Sequence, residues 1–239
     1  ERGGPATLVV GINAIPEAFE ECMWTYVACP PGPLADGPNG LIALAEGAKK
    51  LRASTDRAII GLFGGNLLEI GQFLYRIDGF MMLLAGNRSA AIEFLDKLVE
   101  IHLANLERFL GAVGPYIDVI LFGDDLGMQT GPQISPRMYQ QYALPHEKRI
   151  FGAVRAMGAV ARLHICGDTT RLLPLMAQTG ADIIDLDWMV DLPAAAACFG
   201  DDGPAIFGNF DPVAVMLRGN PALVRESVVR CVQDGGKRS

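Results

Sequence analysis

The feature that most constrains this chain is a succession of short, β-branched apolar runs separated by segments with helical periodicity. Near-continuous apolarity is typical of strands that are covered on both faces. Strands that alternate with helices favour parallel pairing through crossover connections, so the sequence predicts an α/β fold with a parallel sheet. The predicted strands are residues 7–10, 58–63, 117–122, 160–164, 182–186 and 205–207.

The helical segments between these strands carry start signals. Apolar residues at three- and four-residue spacing over 92–110 predict a long helix, with Ser89 as its N-cap. Ser135 before Pro136 predicts a second start, because proline suits the first helical position. Asp211 is interpreted in the same way, as a helix cap before a proline.

Polar or glycine-rich turns follow the last four predicted strands. Such turns gathered at strand ends are typical of the mouth of a β/α barrel. A doubly wound open sheet would place a site at the same edge, but the chain has neither a G-x-G-x-x-G nor a G-x-x-x-x-G-K-[ST] loop. The turns are residues 123–125, 166–168, 187–188 and 208–211.

His164 and Cys166 give the sharpest chemical signal. Positions i and i+2 of an extended strand point to the same side, so the imidazole and the thiol could meet one metal ion. Zinc accepts such mixed nitrogen and sulfur ligands. A third ligand is needed, and Asp125, Asp187 and Glu69 are the candidates within the chain. The alternative is a buried strand end without a metal.

The carboxylates at strand ends are candidates for acid–base chemistry or metal binding. Asp124 and Asp125 follow one strand, although they could equally cap a turn. Asp187 is a candidate acceptor for a ligand nitrogen, or a capping acid. Gly208 permits close backbone approach, and the neighbouring Asn209 could anchor a ligand or the turn itself.

A fifth strand end carries Glu69, which could face a ligand near Gly64 and Gly65. In the alternative interpretation, Asn66 simply caps the following helix.

Composition limits the function classes. The chain has 239 residues and a formal net charge of −7, which argues against a general nucleic-acid binder. Its five cysteines are unevenly spaced, so a reducing, cytoplasmic setting is expected. The sequence shows no signal peptide and no apolar run of the length that a membrane helix needs, so no membrane partner is expected.

The motifs together resemble one enzyme superfamily. Residues 186–191 and 208–212 are similar to the LDW-x-VD and GN-x-DP signatures of the uroporphyrinogen decarboxylase family. Residues 123–139 resemble the GDDLG-x-Q-x-GP-x-[IM]SP-x-x-Y stretch of decarboxylase-like relatives. Residues 164–167 resemble the zinc motif of the corrinoid-linked methyltransferases in the same superfamily.

The resemblance implies a (β/α)₈ TIM barrel, as a single domain over residues 1–239 that is truncated at one or both ends. Two family features are missing from the chain. It has no arginine-rich amino-terminal motif of the decarboxylases, and it stops before the point where the methyltransferases carry a third zinc ligand, a cysteine.

The function expected first is that of a zinc-dependent methyltransferase, which activates a thiol that accepts a methyl group from a corrinoid on a partner protein. The alternatives are a uroporphyrinogen decarboxylase acting on a tetrapyrrole, and a non-catalytic accessory protein that binds a corrinoid or tetrapyrrole. The predicted site comprises the metal ligands His164 and Cys166, the catalytic acids Asp125 and Asp187, and the substrate-binding residues Glu69, Asp124, Gly167, Gly208 and Asn209.

Overall fold

The computed structural model describes residues 40–236, and the strand predicted at residues 7–10 lies outside this range. Within it the chain forms two compact units. The first comprises residues 40–123 and 149–161, and the second comprises residues 124–148 and 162–236. The single domain predicted for the whole chain stays a prediction. No helix among residues 40–236 has the length and apolarity that crossing a membrane requires.

Residues 40–123 of the first unit form two parallel strands, three α-helices and a 3₁₀ turn at Gly114–Tyr116. Ile60 pairs with Val119, and Leu62 pairs with Leu121, in a parallel register. The two strands and the long helix predicted here are confirmed, with strand bounds displaced by one or two residues. The elements are α1 (Leu41–Ser54), β1 (Ile60–Gly64), α2 (Leu68–Gly86), α3 (Arg88–Val113) and β2 (Val119–Gly123).

The cap of α3 differs from the prediction. The side chain of Asn87, not that of Ser89, accepts a hydrogen bond at the helix start, from the backbone N–H of Ala90 at 3.1 Å. Ser89 lies inside the first turn of the helix. Asparagine and serine are equally good N-caps, so composition alone could not decide between positions two residues apart.

Aromatic rings fill the core of the first unit where its two strands end. The ring of Phe63 lies 5.4 Å from that of Phe122 and 5.5 Å from that of Phe109, between ring centroids. All three side chains are buried. The Phe63–Phe109 pair is edge-to-face, an arrangement that stabilises aromatic pairs beyond the area that they bury.

The second unit begins with a short hairpin and continues into three parallel strands. Two of its caps were predicted correctly: Ser135 accepts from the backbone N–H of Met138, and Asp211 accepts from that of Val213. Two of its elements, α5 and β5, include residues of the first unit. The elements are β3 (Gly127–Met128), β4 (Gly131–Pro132), α4 (Pro136–Met138), a π-helical turn (Tyr139–Ala143), α5 (Leu144–Ala156), β5 (Val160–His164), a 3₁₀ turn (Thr170–Leu172), α6 (Leu173–Met176), β6 (Ile183–Asp185), α7 (Leu192–Phe199), β7 (Ala205–Phe207), a π-helical turn (Pro212–Leu217) and α8 (Pro221–Asp234).

The register of the three parallel strands determines which side chains meet. His164 of β5 pairs with Asp185 of β6, and Asp185 pairs with Phe207 of β7. Arg162 precedes His164 by two residues, so both side chains project from the same face of β5. This register brings an arginine, a histidine and an aspartate together at the ends of neighbouring strands.

Candidate metal centre

The imidazole and the thiol predicted to share a metal ion lie side by side. The Nε2 atom of His164 is 3.2 Å from the Sγ atom of Cys166. His164 is the last residue of β5, and Cys166 follows two positions later. The extended backbone at the strand end therefore places both donor atoms on one side, as the spacing predicted.

Asp125 supplies a third donor atom next to this pair. One carboxylate oxygen of Asp125 and the donor atoms of His164 and Cys166 all lie within 4.8 Å of one another. The Oδ1 atom of Asp125 is 4.0 Å from His164 Nε2 and accepts a hydrogen bond from the backbone N–H of Cys166 at 3.0 Å. Asp125 was one of three candidates for the third ligand, and the structure brings it to the pair.

These three donors are of types that zinc accepts. Zinc binds nitrogen, oxygen and sulfur ligands at about 2.0 to 2.3 Å in a tetrahedral arrangement, which separates ligand atoms by about 3.3 to 3.7 Å. His164 Nε2 lies 3.2 Å from the Cys166 sulfur and 4.0 Å from the Asp125 oxygen, and all three donor atoms lie within 4.8 Å of one another. The side chains of His164 and Asp125 are 44% and 41% exposed, so an ion could reach them from solvent. Three protein ligands would leave one position for a substrate, as in catalytic zinc sites.

A carboxylate stands behind the imidazole on the side away from Cys166. The Oδ2 atom of Asp185 lies 3.0 Å from His164 Nδ1. Arg162 binds both oxygens of Asp185, with Nε–Oδ1 and Nη2–Oδ2 distances of 2.6 and 2.7 Å. The guanidinium carbon of Arg162 lies 3.7 Å from the centroid of the Phe207 ring. A carboxylate behind a ligating histidine is the common outer partner in zinc sites.

Sequence reasoning missed Arg162 and Asp185 as site residues. The available signal was a charged residue inside each of two otherwise apolar strands, spaced two residues from the polar residue at the strand end. Because a charge on a strand buried on both faces requires a partner, the two could have been paired with each other.

The surrounding charges raise the pKa of the His164 imidazole above its ordinary value. The hydrogen bond to Asp185 is the largest cause, and the negative charges of Asp185 and Asp125 act in the same direction. Burial and the positive charge of Arg162 oppose the shift. The electrostatic potential around the imidazole is therefore negative, and a negative potential favours the binding of a cation.

Asp187 follows β6, and two backbone N–H groups hold its carboxylate. Its Oδ2 atom accepts from the N–H of Gly167, and its Oδ1 atom accepts from its neighbour Trp188, both at 2.7 Å. Gly167 in turn packs against the backbone of Gly127, where an added Cβ would come within 2.2 Å. Asp187 thus holds the turn that carries Cys166. A direct catalytic role for Asp187 and a substrate contact for Gly167 stay predictions.

Gly208 and Asn209 form the turn after β7. A Cβ at Gly208 would lie 2.4 Å from the carbonyl oxygen of Leu186, so the close approach that glycine permits here is to the chain's own backbone. The Asn209 amide donates to the carbonyl oxygens of Asp187 and Val190 at 2.8 and 2.7 Å. Asn209 therefore anchors the turn, and the ligand contacts predicted for both residues stay predictions.

Asp124 points away from its neighbour Asp125. Asp124 is 2% exposed and lies near Tyr139 and Glu147, which are themselves buried. Its backbone N–H donates to the carbonyl oxygen of His164 at 3.1 Å. The two neighbouring carboxylates therefore lie in different surroundings, and substrate binding by Asp124 stays a prediction.

Glu69 lies in the first unit, near the start of α2. It accepts a hydrogen bond from the side-chain amide of Asn66. Asn66 is therefore not the N-cap of α2, which begins after Leu67 without a side-chain cap. Substrate binding by Glu69 stays a prediction.

Comparison with known proteins gives a consistent family match. The family model for Uroporphyrinogen decarboxylase (URO-D) matches residues 39–239. A methylcobamide:CoM methyltransferase MtbA of Methanosarcina mazei is 39% identical over 103 residues, covering 43% of this chain and 30% of the relative. A uroporphyrinogen decarboxylase of Nocardia farcinica is 40% identical over 131 residues, covering 55% of this chain and 34% of the relative.

A solved structure supports the fold. A methyltransferase from Methanosarcina mazei superposes with a TM-score of 0.70 at 19% identity, covering 84% of this chain and 59% of that one. The matched segments span less than half the length of these curated relatives. The sequence predicted an α/β fold of the (β/α)₈ barrel class, and these two matches confirm that fold class.

Proposed function

Because the chain belongs to the uroporphyrinogen decarboxylase (URO-D) family, we propose that it carries the metal site of a zinc-dependent methyltransferase. In this proposal a small thiol accepts a methyl group from a corrinoid held by a partner protein. The observation that carries the proposal is the convergence of the Asp125, His164 and Cys166 donor atoms within 4.8 Å. Relatives named as methylcobamide:CoM methyltransferases support the choice of reaction.

The proposed reaction forms a carbon–sulfur bond and breaks a cobalt–carbon bond. The thiol would release its proton to solvent, its sulfur would attack the methyl carbon, and cobalt would keep the electron pair of the broken bond. A zinc ion held by Asp125, His164 and Cys166 would favour this ionisation, because thiols that coordinate zinc are deprotonated.

The protein's own residues would prepare this site. His164 would offer Nε2, Cys166 its thiolate sulfur and Asp125 a carboxylate oxygen. Asp187 would hold the Gly167 turn through the 2.7 Å hydrogen bond, so that Cys166 stays next to His164. Asn209 would fix the adjoining turn through its two backbone contacts. Asp124, Gly208 and Glu69 remain proposed substrate contacts.

Metal content tests the first step of the proposal. The full-length protein is expected to bind one zinc ion per chain, measured by atomic emission after dialysis. Cys166→Ser and His164→Ala are expected to lose that ion. Cys198→Ser is a matched control, because Cys198 is an exposed cysteine on α7 of the same unit and should leave the zinc in place. A zinc-free protein, or full zinc retention in Cys166→Ser, would contradict the proposal.

Turnover tests the second step. Methylcobalamin can serve as the methyl donor with a panel of small thiols, and demethylation is followed by its absorbance. The zinc-loaded protein is expected to demethylate methylcobalamin, and Cys166→Ser is expected to lose this activity while Cys198→Ser keeps it.

The second candidate is decarboxylation of uroporphyrinogen. The observation that favours it is the set of decarboxylase relatives with longer matches, such as that of Carboxydothermus hydrogenoformans, 35% identical over 146 residues. In that case an acid, Asp187 or Asp125, would stabilise a protonated pyrrole. Turnover of uroporphyrinogen by the full-length protein in the presence of a chelator would favour this candidate over the methyltransferase.

A further inference from the structure

We infer that Arg162 and Asp185 form a positioning pair that fixes the tautomer and orientation of His164, so that Nε2 faces Cys166 and Asp125. This inference deepens the proposed function and rests on it for the identity of the bound metal. Neither residue touches the donor atoms of Cys166 or Asp125 in the hydrogen bonds described above. Both act through the imidazole.

The strand register is the first support for this role. His164 and Asp185 are direct partners in the parallel pairing of β5 with β6. Their backbones are held by the sheet, so the 3.0 Å separation of Nδ1 and Oδ2 does not depend on a mobile loop. Groups placed on regular strands are held more precisely than groups on loops.

The second support is the way in which Asp185 is held. Its side chain is 9% exposed and that of Arg162 is 11% exposed, so both charges are largely removed from water. The two short hydrogen bonds of the guanidinium fork hold both carboxylate oxygens and set the plane of the group. The ring of Phe207, on β7, packs against the guanidinium of Arg162. Three consecutive strands therefore hold the carboxylate in one orientation.

The third support is the division of donor and acceptor roles between the two ring nitrogens of His164. Both oxygens of Asp185 accept hydrogen bonds from Arg162, so in the contact with Oδ2 the Nδ1 atom of His164 is the donor and carries the proton. In the neutral ring Nε2 is then the nitrogen with a lone pair, and it is the atom that lies 3.2 Å from Cys166 Sγ. Without Asp185 the ring could turn over or exchange tautomers, and the ligand nitrogen would no longer be fixed.

The pair also predicts that arginine and lysine are not equivalent at position 162. Lysine would keep the positive charge but could not bind both carboxylate oxygens through a planar fork. Arg162→Lys should therefore loosen Asp185 without removing it. Its effect on the metal should lie between those of the wild type and Asp185→Asn.

Metal affinity is the first measurement. Zinc affinity of the full-length protein is measured by competition with a chromophoric chelator. Asp185→Asn is expected to weaken binding by about 10- to 100-fold, the usual effect of removing an outer partner of a ligating histidine, and Arg162→Lys by a smaller factor. Arg149→Lys is the matched control, because Arg149 forms an exposed ion pair with Asp96. It should leave the affinity unchanged.

Nitrogen-15 NMR of the histidine side chains is the second measurement. It is made on the metal-free protein in alkaline buffer, where the imidazole is neutral. The chain has three histidines, so the spectrum can be assigned by substitution. Wild-type His164 is expected to be the Nδ1–H tautomer, and Asp185→Asn should shift it towards a mixture. Circular dichroism shows whether each variant is folded. If Asp185→Asn does not fold, the same tautomer measurement is made on Arg162→Lys.

The two measurements separate failure of the inference from failure of the proposed function. A fixed Nδ1–H tautomer that depends on Asp185, in a protein that binds no zinc, would support the positioning pair and overturn the zinc proposal. Wild-type zinc affinity and an unchanged tautomer in folded Asp185→Asn and Arg162→Lys would overturn the inference alone.

Discussion

The two units of the molecule use parallel strands for different purposes. At the ends of β1 and β2 the side chains are aromatic, and Phe63 and Phe122 pack on one another in a buried core. In β5 and β6 charged residues, Arg162 and Asp185, pair across the strands beside His164. The same backbone arrangement therefore supports an apolar core in one unit and a polar network in the other, and substitutions should damage stability in the first and ligand binding in the second.

The buried ionisable groups differ between the units in the same way. His102 of the first unit donates to the carbonyl oxygen of Asn66 at 2.9 Å, and burial lowers its pKa to about 4. Glu147 of the second unit accepts from the hydroxyl of Tyr139 at 2.6 Å, and burial raises its pKa to about 8. Both groups are held neutral, but one is a base and the other an acid. Their contributions to stability should therefore depend on pH with opposite signs.

The largest expected effect comes from breaking the aromatic core. Phe63→Ala is expected to lower the free energy of unfolding by about 3 to 5 kcal/mol, because it removes a buried ring and leaves a cavity beside Phe109 and Phe122. The measurement is chemical denaturation with the midpoint and slope fitted together. The folded fraction should still bind zinc with wild-type stoichiometry. Loss of zinc from folded Phe63→Ala would contradict the division between core and site.

A pH series on Glu147→Gln tests the acid side of the comparison. The pKa of Glu147 is higher in the folded protein than in the unfolded chain. The stability that its protonated carboxyl contributes is therefore fully present below pH 4.5 and is lost as the pH rises towards about 8. Glutamine can accept the Tyr139 hydrogen bond but cannot ionise. Relative to the wild type, the variant should therefore gain on the order of 5 kcal/mol between these limits. Parallel stability curves for both proteins would show that Glu147 does not titrate in this way.

His102→Gln tests the base side with the opposite sign. A lowered pKa means that the stability contributed by neutral His102 is present above pH 6.5 and is lost as the pH falls towards about 4. Glutamine can donate to Asn66 but binds no proton, so acid should destabilise the variant less than the wild type, by about 3 kcal/mol. Denaturation at four or five pH values measures the difference. A gain at alkaline pH in place of acid pH would refute the assignment.

The sequence predicted the elements better than the contacts between them. Five strands followed from short apolar runs, and the placement of His164 beside Cys166 followed from the alternation of side chains along an extended chain. Both signals are local in the sequence. The choice of Asp125 over Asp187 and Glu69 as the third donor did not follow from a local signal, because it depends on how separate segments of the chain meet. The Arg162–Asp185 pair was missed for the same reason, since the register between strands is set by the packed sheet.

The smallest expected effect concerns an ion pair that resembles the Arg162–Asp185 pair in chemistry alone. Arg149 and Asp96 of the first unit lie 2.6 Å apart, but their side chains are 43% and 50% exposed. Because water screens such a pair, Arg149→Gln should change the free energy of unfolding by about 0.5 kcal/mol or less, and the difference should shrink further in high salt. Thermal unfolding at low and high salt measures this. A salt-independent loss of several kcal/mol in the free energy of unfolding would mean that the exposed pair contributes as much as a buried one. Burial would then be no evidence for the positioning role of Arg162.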